Sequence, residues 1–285
     1  MKINHIANLI KYKLSLAICF SACVGYIMYS KELNNKLLFL LLGVFFLSGG
    51  AAALNQYQEK EIDSKMDRTK KRPLPNEDIE PNEAKIIIIN FILLGIVFLL
   101  NFELTVLFLG LFNILLYNFI YTKLKTKTYY AILVGALVGA IPPLMGWCAA
   151  GGYILSTTII IVSSFVVLWQ IPHFFLLSIK YKEEYDKAGL ATVNKIFSEH
   201  QIKRLIFNWM LITSIHNLLF YLFDIITNSL YLSLLLLINI ISIILFYKFA
   251  FKANSKNILR VFVFTNLFLV FVFTLIIVNS IIAKP

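Results

Sequence analysis

Asn55, Glu59, Asp63 and Asp67 recur at every fourth position and run directly into Arg68, Lys70, Lys71 and Arg72. On a helix that spacing puts the four oxygen-bearing side chains on one slowly drifting face. Like charges so placed repel by about 0.2–0.5 kcal/mol per pair, and by more where a membrane removes water. A cation relieves the repulsion. All-oxygen donors select a hard ion such as Mg²⁺, which binds through one or two carboxylates together with substrate phosphates. The neighbouring guanidinium and ammonium groups can fork onto phosphate oxygens or add point charge. Metal-binding carboxylates beside anion-binding cations are the ingredients of a diphosphate site. The same run also suits a solvated loop with ordinary ion pairs.

Three further stretches carry polar chemistry. Glu183 and Glu184 adjoin within the segment from Lys180 to Asp186, which also holds Lys182. Adjacent carboxylates face different sides of a helix unless the turn unwinds, so the segment reads either as a mixed-charge helix end or as a second acidic cluster. Facing the same compartment as the first, it can hold a second Mg²⁺ across one diphosphate. Lys123, Lys125 and Lys127 suit phosphate or simple topology signalling. Trp169, Gln170 and His173 lie in an apolar run beside Pro172. Polar groups in such a run need partners, either a hydrogen bond or a large bound cofactor, and imidazole can ligate haem iron. Pro172 is expected to kink its helix. Gly135, Gly139 and Gly146, with Pro142, Pro143 and Trp147, read as close helix packing.

These groups must be positioned by elements that live in lipid. The 285 residues are 59% hydrophobic and 14% charged, with a mean hydropathy of +0.80. An ordinary soluble domain is about 25% charged. A bilayer core requires about 20 helical residues per crossing, with every backbone polar group satisfied internally. Nine segments qualify: about 13–30, 37–58, 85–101, 104–121, 130–150, 153–179, 205–222, 229–249 and 259–282. No alternating pattern of a β-barrel is present. The fold class expected is an all-α membrane protein, with residues 1–285 as one integral-membrane domain and its active loops at about 59–84 and 180–204. The first apolar segment lacks a small-residue cleavage site and reads as a retained span.

Net charge is +11. With the N-terminus placed in the cytoplasm, 23 of the 26 Lys and Arg residues fall inside and only Lys31, Lys36 and Lys284 outside. That asymmetry supports nine spans, N-in and C-out, and it assigns the basic excess to the membrane rather than to nucleic acid. Cys19, Cys23 and Cys148 lie in apolar segments without the spacing of a zinc site or a disulfide framework. No Ser/His/Asp constellation is evident.

The run from Asn55 through Ile62-Asp-Ser-Lys-Met-Asp-Arg-Thr69 to Arg72-Pro-Leu-Pro75 resembles the first signature of the UbiA-type intramembrane prenyltransferases. The stretch Tyr121–Thr128, the segment Gly135–Trp147 and the block Leu168–Gly189 resemble later signatures in the same order. Their wording is similar to the branch that farnesylates protohaem IX. The resemblance covers roughly residues 50–190. It implies a nine-helix bundle around a central cavity open to the bilayer in a bacterial inner membrane, with the active site on the cytoplasmic side. It implies farnesyl diphosphate and haem b as substrates and Mg²⁺ as cofactor. A haem A synthase or terminal oxidase assembly would act downstream. Asn55, Glu59 and Asp63 would hold the metal; Arg68, Lys71, Arg72 and Lys123 the diphosphate; Lys182, Glu183 and Glu184 the second acidic site; Trp169, Gln170 and His173 the haem. Two features depart from the pattern. Glu stands at 59, 183 and 184 where Asp is common, and a proline-free continuation follows Gly189. A relative acting on an aromatic or quinone precursor shares the first motif and is the alternative. A transporter would instead place its ionisable groups near mid-span.

Overall fold

A computed structural model describes residues 3–252 and 258–282. Among the described residues every regular element is helical, and nine helices are long and apolar enough to cross a bilayer. These are α1 (Tyr12–Ser30), α2 (Asn35–Gln58), α3 (Pro81–Leu99), α4 (Leu104–Leu124), α5 (Ala131–Ala149), α6 (Thr157–Lys180), α7 (Glu199–Leu222), α8 (Ser229–Phe251) and α9 (Ile258–Ile282). They coincide with the nine expected segments, and their ends move for local reasons. α3 begins at Pro81 because proline suits the first turn and Glu80 N donates to Glu83 Oε2 at 3.2 Å in a capping box. α7 begins at Glu199 because Ser198 and Gln201 cap each other reciprocally; its polar first turn is invisible to hydropathy. Lys2, Lys256 and Lys284, used in the charge count, lie outside the described residues.

Packing is closest between α1 and α5. A Cβ on Gly25 would lie 1.9 Å from the Pro143 carbonyl oxygen, and one on Gly146 would lie 1.9 Å from that of Ala22. The two backbones touch because neither position carries a side chain. α6 continues as one helix from Thr157 to Lys180 with Pro172 inside it. α4 contains a π-helical stretch, Leu115–Tyr121, a wider winding often found beside functional sites. On α3, Ile86, Ile89, Leu93 and Val97 are exposed, as are Leu237, Ile240, Ile241 and Ile244 on α8. Their solvent is acyl chain rather than water.

α1, α2, α4, α5, α6 and α9 surround a cavity of about 640 Å³, to which α3, α7 and α8 contribute no wall. One end is rich in charge and is closed by three connections. These follow α2, α4 and α6 and are tied by backbone contacts: Arg68 N donates to Glu184 Oε2 at 2.9 Å, and Ala191 N donates to the Lys125 carbonyl at 3.0 Å. Met66, Ala188 and Leu190 bury one another at the junction.

Candidate active site

Asn55, Glu59 and Asp63 line the charged end of the cavity, each no more than 3% exposed. α2 gives way to a short helix, Lys60–Asp63, but the backbone bonds continue across the step. Glu59 N reaches Asn55 O at 3.0 Å and Asp63 N reaches Glu59 O at 2.8 Å. The fourfold spacing therefore keeps one face. Asp67 has left it: that residue is exposed and pairs with Lys70.

Each of the three inward side chains is matched by a cation. Lys11 Nζ donates to Asn55 Oδ1 at 2.9 Å, Lys125 Nζ meets Glu59 Oε1 at 2.5 Å, and Arg72 Nη1 donates to Asp63 Oδ2 at 2.6 Å. Asn55 Nδ2 donates to Thr122 Oγ1 at 3.1 Å, which fixes the amide with its oxygen toward Lys11. Unpaired charges would be costly here, by several kcal/mol each on general grounds. Arg68 also lines the cavity, its guanidinium 4.6 Å above the Tyr181 ring. Four cations (Lys11, Arg68, Arg72, Lys125) thus face two carboxylates. That surplus favours a polyanion. Tyr185, at the same rim, has its phenol pushed up by burial.

Lys11 was counted among the sequence's topology charges, and its role at the cavity is decided by the fold. It sits in the left-handed region (φ 48°, ψ 53°) at the break between a short helix, Ile3–Leu9, and α1. Gln56 Nε2 donates to the carbonyls of Asn8 at 2.8 Å and Leu9 at 2.7 Å, clamping that turn onto α2. Burial, followed by the nearby Arg72 and Lys125, pushes the Lys11 ammonium down to about 7.

The structure brings only part of the expected anion set to the cavity. Lys123 is exposed and Lys125 takes the inward place. Tyr117, Tyr121 and Lys125, four apart, share the inner face, and Lys123 is two residues out of step with them. Lys71, Lys182 and Glu183 are exposed and do not line the cavity. Glu184 does not line it either, because its carboxylate is engaged by the Arg68 amide. The second acidic site is therefore adjacent to the cavity rather than in its wall. The segment after Gly189 is a defined turn. Gly189 adopts φ 74°, Leu190 N bonds the Tyr185 carbonyl at 3.0 Å, and Leu190–Val193 reach the cavity.

The donor set fits Mg²⁺ by its chemistry: two carboxylates and one amide oxygen, with no cysteine or imidazole at that end. Among the described residues no three His, Cys, Asp or Glu side chains converge as a complete ligand cage. Remaining ligands would have to be water and substrate phosphate, the usual situation for this ion.

Farther in, the cavity becomes apolar. Trp169, Gln170 and His173 line it. Trp169 Nε1 is pinned to the Thr265 carbonyl at 2.8 Å. The His173 ring lies 5.0 Å from both the Trp169 and Phe262 rings, and its Nδ1 has no hydrogen-bond partner. Gln170 is held by α5, its amide nitrogen donating to Gly135 O at 3.0 Å and Ala136 O at 3.1 Å. It fits there because Gly139 lacks a side chain; a Cβ would stand 2.0 Å from the Gln170 amide. Of the three, His173 offers the free polar atom.

The model of the UbiA prenyltransferase family matches residues 16–273. A protoheme IX farnesyltransferase of Nitratidesulfovibrio vulgaris (strain DP4) is 34% identical over 208 residues, which cover 73% of this chain and 72% of that protein. Among solved structures, a digeranylgeranylglyceryl phosphate synthase superposes with a TM-score of 0.80 at 21% identity, covering 98% of both chains. A UbiA homologue from Archaeoglobus fulgidus bound to GPP and Mg²⁺ superposes with a TM-score of 0.71 at 16% identity, covering 95% of this chain and 99% of that one.

Proposed function

This chain belongs to the UbiA prenyltransferase family, and we propose that it moves a farnesyl group from farnesyl diphosphate to a vinyl group of haem b, with addition of water, giving haem O and diphosphate. The observation that carries this reading is the division of one cavity. A cation-rich end with three oxygen donors on one helix face opens into an apolar chamber holding an imidazole with a free nitrogen. The substrates are taken from the 34%-identical farnesyltransferase of similar length.

In this reading Arg68, Arg72, Lys11 and Lys125 grip the diphosphate. Asn55, Glu59 and Asp63 would hold Mg²⁺, which when bound supplies further positive charge to the leaving group. Charge that develops as the C1–O bond breaks is met by groups already in place, so little reorganisation is needed. Glu184 orders the Arg68 segment by accepting its amide. The apolar walls keep water from the allylic cation until the vinyl carbon attacks. The new cation beside the pyrrole ring then takes a water oxygen and loses a proton. His173 Nδ1, flanked by Trp169 and Phe262, orients the haem through its iron or a hydrogen bond. The charged end faces the cytoplasm, in line with the inside excess of Lys and Arg, with N-in and C-out in the bacterial inner membrane. Residues 1–285 act as one domain.

Mass spectrometry of haem extracted from membranes expressing this chain tests the proposal. The expected result is a haem species heavier by a farnesyl group and a hydroxyl group, with diphosphate release that requires Mg²⁺. Unmodified haem together with prenylated 4-hydroxybenzoate would overturn the substrate assignment.

A further inference from the structure

A second recess, sharing no lining residue with the catalytic cavity, lies in the groove between α8 and α9. It holds about 350 Å³ and is lined by Ile241, Ile244, Leu245, Phe249 and Val261, with Lys248 and Arg260 at its mouth. Both cations are exposed, and neither has a carboxylate partner among the described residues. The sequence explains why. From Ile225 to Pro285 there is no Asp or Glu, so the α8–α9 hairpin carries only positive charge. Lys252 adds to it, and Arg204 of α7 lies over the Phe251 ring at 5.7 Å. Lys248 is one turn from the end of α8, at the same end of the bundle as the charged loops.

We infer that this groove is a binding site for one anionic phospholipid, its phosphate between Lys248 and Arg260 and an acyl chain along Ile244 and Ile241. Charge complementarity selects the occupant. A mouth with two unpaired cations at headgroup depth calls for a phosphate, and a groove lined only by aliphatic and aromatic carbon calls for hydrocarbon. From Lys248 to Ile241 the helix rises about 10 Å, the length of roughly eight methylenes. The groove alone gives no preference over bulk lipid, since surrounding tails are equally apolar. Selectivity must come from the cations, at about fivefold for each Lys or Arg near an anionic headgroup. Two cations then favour phosphatidylglycerol over phosphatidylcholine by about 20- to 30-fold. This inference is independent of the prenyl-transfer reading.

The test is native mass spectrometry of the full chain in detergent, titrated with phosphatidylglycerol or phosphatidylcholine. The expected result is a single retained phosphatidylglycerol adduct, absent with phosphatidylcholine and lost in Lys248→Gln/Arg260→Gln. A control pair of exposed cations, Lys13→Gln/Lys195→Gln, should retain the adduct. Ile244→Trp, which fills the groove without altering charge, should weaken it at least fivefold. Equal loss in the control pair, equal retention of both lipids, or displacement of the adduct by millimolar inorganic phosphate would overturn the assignment. Circular dichroism and gel filtration verify folding; should the double variant not fold, the single variants Lys248→Gln and Arg260→Gln decide, each expected to weaken the adduct about fivefold.

Discussion

Replacing Asp63 by Asn isolates one charge without changing shape. Asp63 is 1% exposed and Arg72 Nη1 donates to its Oδ2 at 2.6 Å. Removing one partner of a fully buried pair costs about 3–5 kcal/mol. The Arg72 side chain is 23% exposed and can turn partly to water, so about 1–3 kcal/mol of stability should be lost here. The kinetic effect should be larger in proportion. Losing one preorganised group at the site of developing charge costs about 10²–10³ in kcat. Diphosphate release from farnesyl diphosphate in the presence of haem b, measured over a Mg²⁺ series, reads this directly. The expected outcome is a fall of about 10²–10³ in turnover that saturating Mg²⁺ does not restore. A variant that remains folded yet turns over within about tenfold of the parent would refute the assigned role of the face Asn55, Glu59 and Asp63.

Four other outcomes follow from the same geometry. Lys125→Ala should lower turnover by about tenfold or more, whereas Lys123→Ala should be near neutral, because only the former meets Glu59; steady-state kinetics on both variants decides. His173→Ala should weaken haem binding in a spectroscopic titration, and an unchanged titration would remove His173 from the haem site. Gly146→Ala should destabilise the bundle by about 1–3 kcal/mol, since its Cβ would meet the Ala22 carbonyl oxygen at 1.9 Å; thermal melting in detergent measures it. Lys11 provides a pH-dependent case. Its folded value of about 7 lies below the ordinary 10.5, so protonating it penalises the fold as pH drops from 10.5 to 7, and the penalty is constant below that. Lys11→Met should therefore melt higher than the metal-free parent at neutral pH, with the gap closing toward alkaline pH, while turnover falls. A gap that widened with pH would contradict that sign.

Much of the molecule was legible in the chain itself. Spans follow from hydropathy because a bilayer tolerates only helices whose backbone is satisfied internally, and all nine apolar segments became such helices. The donor face was equally legible, because fourfold spacing on a helix is a local property and Asn55, Glu59 and Asp63 kept it across the end of α2. What sequence spacing could not decide is which cations turn inward. Lys123 and Lys125 are two residues apart, and the way α4 packs into the bundle, with Tyr117 and Tyr121 on its inner face, chooses between them. Lys11 resembles any charge flanking a membrane span until a left-handed turn and the Gln56 clamp bring it to Asn55. Glu184 was legible as a carboxylate, but its engagement with the Arg68 amide depends on two connections meeting 116 residues apart. Helical periodicity and membrane solvation act locally and are written in the sequence; the direction of a flexible side chain at a helix end is settled only when other helices pack around it.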